Sequence, residues 1–119
     1  MLPKVLVVEN GEKWQELWQE QLKEKVLLIF ANTSRESWEL FNSHKDISAI
    51  AITTCLNCSM PADSVNLVTY FRETFKGPVI ATFSPVRPDL GVEFLRNGCT
   101  HDCEKKDLAI MLCKILGIS

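Results

Sequence analysis

Four groups of residues in this chain carry side chains able to do chemistry. Glu9 and Asn10 directly follow the apolar run Val5–Val8, and Thr53 and Thr54 directly follow Ile47–Ile52. Cys55-Leu56-Asn57-Cys58 comes next, and Cys99-Thr100-His101-Asp102-Cys103 stands just ahead of Lys105. A carboxylate and a lysine at the ends of strands can frame an ion pocket, or they can simply pair. A partly buried ammonium needs an acceptor, and Glu9 is the expected one for Lys105. The two threonine hydroxyls are expected to close hydrogen bonds where a strand ends. Thiolate and imidazole are zinc ligands, so Cys55, Cys58, His101 and Cys103 make the one conceivable metal set. A lone CxxC has no second pair at finger-like spacing, and burial as small apolar side chains is the expected role of these cysteines. His44 and His101 are the only histidines and fit no Ser-His-Asp constellation. With no nucleophile–base pair, paired acids or glycine-rich phosphate loop, the reading is of a protein without catalytic residues.

These residues need a frame, and the chain alternates short β-rich runs with helical patterns. Val5–Val8 is a short, β-branched apolar run of the kind buried on both faces of a parallel sheet. Trp14, Leu17, Trp18 and Leu22 fall on one helical face. Val26–Ala31 reads as the second strand. Thr33 precedes Glu36 at capping-box spacing and starts a helix carrying Trp38 and Phe41. Ile47–Ile52 is the third strand. Asp63 or Ser64 is expected to cap the next helix, with Val65, Val68 and Phe71 facing inward. Val79–Phe83 is the fourth strand. Pro88 opens a helix containing Val92, Phe94 and Leu95, of which Phe94 and Leu95 are expected in the core, and Gly98 ends it. A short fifth strand falls at His101–Glu104, and Asp107 is expected to cap the final helix, Leu108–Leu116. The alternation implies right-handed βαβ units, a parallel sheet covered on both faces, and a three-layer α/β/α sandwich. In such sheets ligands sit at the carboxyl ends of the strands. That places Glu9, Asn10, Thr53, Thr54, Phe83, Ser84 and Lys105 together.

The composition narrows the partners. The chain has 119 residues, 46% hydrophobic and 24% charged, with a formal net charge of −2. That suits one compact domain over residues 1–119 and excludes disorder. It lacks the basic footprint of a nucleic-acid binder. No run reaches the length of a membrane span or shows a secretory signal, so a cytoplasmic location is expected. Five cysteines, an odd number, are expected to stay reduced there.

The strand-end residues resemble those of response-regulator receiver domains. Val5-Leu6-Val7-Val8-Glu9-Asn10 resembles the family's first strand, which ends in two acidic residues. Pro78–Ser84 resembles its fourth strand, and Gly98 followed by Lys105 resembles its fifth strand and lysine. The resemblance implies a CheY-like, flavodoxin-like fold: a five-stranded parallel sheet in order 2-1-3-4-5 with five helices. It also implies an aspartate at the end of the third strand that accepts phosphate with Mg²⁺. Here the chain departs from the family. Thr53 takes the acceptor position in one alignment and Asn57, four residues before Pro61, in another. Between Asp46 and Asp63 there is no Asp or Glu. Family spacing puts Phe83 where a hydroxyl is usual, with Thr82 and Ser84 beside it, and His101 or Asp102 where an aromatic is usual. The resemblance and the departure together imply a pseudo-receiver: Glu9, Asn10, Thr53, Phe83, Ser84 and Lys105 form a degenerate phosphorylation pocket, with no cofactor. It would act by contact with another signalling protein or with itself, through the helix four–strand five–helix five face around Val92–Leu112. The rival reading is a small-molecule or zinc sensor built on the strand-end pocket.

Overall fold

The computed structural model describes residues 2–56, 61–85 and 87–118. Five strands and five α-helices alternate: β1 Lys4–Val8, α1 Glu12–Gln21, β2 Leu27–Ala31, α2 Ser34–Ser43, β3 Ile47–Thr53, α3 Pro61–Arg72, β4 Val79–Phe83, α4 Asp89–Arg96, β5 His101–Glu104 and α5 Leu108–Leu116. A single 3₁₀ turn, Lys105–Asp107, joins β5 to α5. All the strand pairs are parallel, in the order β2-β1-β3-β4-β5. This is the architecture and order expected.

Alternation along the strands sends side chains to two layers. Leu6, Val8, Ile50, Ile52, Val79 and Ala81 pack with α2, α3 and α4, around Val68, Phe71 and Phe94. Val5, Val7, Ala49, Ala51 and Ile80 pack with α1 and α5, around Trp18, Leu22, Leu108 and Leu112. Both faces of the sheet are thus dry, which is why β1 and β3 read as continuous apolar runs.

Several local expectations are corrected. Leu17 and Leu95 are exposed rather than buried. On α1 the buried line runs Trp14, Trp18, Leu22 at i, i+4, i+8, and Leu17 sits off its edge. On α4 only Phe94 of the expected pair reaches the core. Helix α3 starts at Pro61, ahead of the expected caps Asp63 and Ser64, because proline is already set for a first helical position. Asp107 occupies the N-cap position of α5 but its side chain makes no capping bond; the preceding 3₁₀ turn leads into the helix instead. Thr33 caps α2 as expected, its Oγ1 accepting from Glu36 N at 3.0 Å. The glutamate answers by accepting from Asn32 N at 2.7 Å. Among the described residues, no helix is long and apolar enough to cross a membrane.

Candidate functional site

The strand ends converge on a buried polar cluster. Glu9 follows Val8 and therefore turns toward the α1–α5 layer, as do Thr53 after Ile52 and Thr82 after Ala81. Thr53 and Thr82 are register partners, and Glu9, Thr53 and Thr82 are almost fully buried. Lys105, just past β5, sends its ammonium to 2.8 Å from Glu9 Oε1. The expected ion pair is therefore formed. With β3 and β4 lying between β1 and β5, it closes over the ends of both middle strands.

The pair is held from several sides. Glu9 Oε2 accepts from Gly11 N at 2.8 Å. Oε1 has the ammonium as its charge partner, but off the line of a well-formed hydrogen bond. The backbone carbonyl of Lys105 accepts from Trp18 Nε1 at 3.1 Å. The ammonium lies 6.0 Å from the centre of the Trp14 ring, and Trp14 stacks on Trp18 at 5.7 Å. The two tryptophans thus brace the lysine from α1. Beside it, a recess of about 220 Å³ is lined by Trp14, Ser84, Pro85, Glu104, Lys105 and Lys106.

The other expected pocket residues do not all join this cluster. Asn10 is spent on the chain: its Nδ2 donates to Leu56 O at 3.0 Å, tying the β3–α3 connection to the end of β1. Thr54 donates its backbone N–H to Thr82 O, and its buried hydroxyl has no hydrogen-bond partner among the described residues. Phe83 turns to the opposite layer. It and Asp102 press on α4 at Gly91, where a Cβ would stand 3.1 Å from the Phe83 ring and 2.5 Å from Asp102 Oδ2. A larger residue there would have to push the Asp102 carboxylate and the Phe83 ring aside. Asn57 lies outside the described residues. Thr82 stood beside the position to which family spacing pointed, Phe83, and it is Thr82 that joins the cluster. Alternation from Ile80 would have placed Thr82 on the Glu9 side.

The conceivable zinc set is not gathered. Cys55 leaves the end of β3, while His101 and Cys103 sit on β5, with β4 between them. Cys58 lies outside the described residues, and among the described residues no three His, Cys, Asp or Glu side chains are grouped to hold a metal. Cys55 is disulfide-bonded, which corrects the expectation that every thiol stays reduced. Cys99, Cys103 and Cys113 are free. Burial pushes the Cys99 and Cys103 thiols up to about 12, with nearby carboxylates such as Asp102 adding to the rise. These two thiols stay protonated at neutral pH, as buried apolar cysteines do.

No protein-family model matches the chain, and no curated protein matches it. Solved structures do match. The receiver domain of the TMAO respiratory system response regulator TorR superposes with a TM-score of 0.81 at 14% identity, covering 97% of each chain. A signal receiver domain of an HD domain-containing protein from Pseudomonas fluorescens Pf-5 gives 0.80 at 17%, covering 98% of this chain and 96% of that one. A response regulator from Thermotoga maritima gives 0.78 at 20%, covering 98% and 99%. The fold is that of a receiver domain. In this receiver fold the end of β3 carries Thr53, and the lysine after β5 is paired with a glutamate from β1.

Proposed function

We propose that residues 1–119 form a pseudo-receiver, a cytoplasmic signalling module that works by protein–protein contact and takes no phosphoryl group on aspartate. One observation carries this reading: the Lys105 ammonium is paired with Glu9 above a β3 tip that carries Thr53. An acyl phosphate requires a carboxylate nucleophile, and the chain has none between Asp46 and Asp63. Magnesium requires hard oxygen ligands, usually more than one carboxylate. Glu9 is the single acid at the end of β1 and is already neutralised by Lys105. With phosphoryl chemistry set aside, what remains is a surface. Val92, Leu95 and Ile110 are exposed apolar side chains on α4 and α5. A recess of about 480 Å³ is lined by Ile110 with Phe83, Cys103 and Met111, and by the charged Glu104, Asp107 and Lys114. This face suits a partner protein that offers an apolar side chain flanked by polar or charged ones.

The test is incubation with acetyl phosphate and Mg²⁺, read by intact mass. The expected result is an unchanged mass. A gain of one phosphoryl group, removed by hydroxylamine as an acyl phosphate is, would overturn the reading.

A further inference from the structure

We propose that the outer edge of β2 pairs with the same edge of a second copy of this chain, antiparallel about a two-fold axis through Ile29. The inference stands apart from the pseudo-receiver reading and from the α4–α5 face. β2 is the terminal strand of the sheet. Its ladder to β1 is anchored at both ends: Leu27 N donates to Pro3 O at 2.9 Å, and Glu9 N donates to Ala31 O at 3.0 Å. In a parallel ladder alternate residues face the neighbour. Leu27, Ile29 and Ala31 therefore use their backbone groups on β1, and Leu28 and Phe30 turn theirs outward.

Those outward groups are self-complementary. With Ile29 on the axis, Leu28 stands opposite Phe30 of the second copy and Phe30 opposite its Leu28. Each pair exchanges both N–H···O bonds, the arrangement of a hydrogen-bonded antiparallel pair. The two Ile29 residues meet at the narrower position between them, where β-branched side chains pack well. Leu27 stands opposite Ala31.

Side chains and charge agree with the backbone. Leu27 is 50% exposed, and Leu28, Ile29 and Phe30 are only partly covered, whereas Ala49–Thr53 on β3 are all buried. Strands that end a sheet are normally kept unpaired by charge, proline or a bulge. β2 reads Leu-Leu-Ile-Phe-Ala and has none of these. The other edge is guarded: β5 carries Asp102 and Glu104, which would face like charges in a second copy. The β2 contact is isologous, so it closes on itself and yields a dimer rather than a fibre.

The test uses the full chain in analytical ultracentrifugation from micromolar to near-millimolar concentration, with amide hydrogen exchange at each end of the range. A dimer is expected, with exchange at Leu28 and Phe30 slowed as it forms. Leu28→Pro removes the outward N–H, along with some packing of Leu28 on the α1–α5 layer, and should give a monomer with an unchanged circular dichroism spectrum. Should that variant misfold, Leu27→Lys places a charge at the half-exposed position and should weaken association at least ten-fold. A chain monomeric throughout, a dimer in which Leu28 and Phe30 exchange freely, or folded variants that dimerise as well as the parent would each overturn the proposal.

Discussion

Glu9 and Lys105 are unequal partners: the side chain of Glu9 is 2% exposed and that of Lys105 15%. Removing one charge strands the other, which is the costly change, whereas removing both with similar volume is tolerated. Glu9→Gln should therefore destabilise the fold by about 3 kcal/mol in urea denaturation, the lower end for breaking a buried pair. The double change Glu9→Gln with Lys105→Met should recover most of that loss. Equal destabilisation in single and double variants would show that the pairing matters little. This pair was legible in the sequence because a lysine near a strand end needs an acceptor, and one carboxylate was in reach. Thr82 was legible only as one of two hydroxyls beside Phe83, because the family's spacing fell between them. The disulfide at Cys55 was not legible, since compartment arguments speak to averages and not to one turn of chain.

At the scale of elements, periodicity and caps decide what could be read. The strands were legible because β-branched apolar runs bounded by polar residues have few other uses. Helix faces were read less well. On α2 the inward position is taken by Ser37, whose hydroxyl donates to Ser34 O at 2.7 Å. Trp38 lies outside, tilted against Tyr70 at 6.2 Å. The helix pattern carried Trp38 without fixing its face, and a ring covering another ring was not foreseen. The start of α2 was fully legible, because Thr33 and Glu36 satisfy opposite ends of one turn. Thr33→Ala should cost about 1 kcal/mol, the usual loss for an N-cap hydroxyl. Thermal unfolding checks it, and Thr33→Ser should retain nearly all the stability.

For the whole molecule, alternation of elements was enough to give a parallel three-layer sheet, since right-handed crossovers leave few arrangements. What the pattern could not give was how the strand-end residues divide between layers. Glu9, Thr53 and Lys105 go to one side and Phe83 to the other, because alternation along each strand is counted from its own first buried residue. The bracing of Lys105 by Trp14 and Trp18 has an optical consequence. Trp14 sits against this largely buried cation, Trp18 stacks on Trp14 and holds the Lys105 carbonyl, and Trp38 lies on α2, across the sheet. Light emitted by this chain is therefore weighted toward the surroundings of a single ammonium group. Whatever pulls that ammonium aside, whether a bound anion, a docked protein or a lost Glu9, should change the colour or brightness of the glow without any added dye.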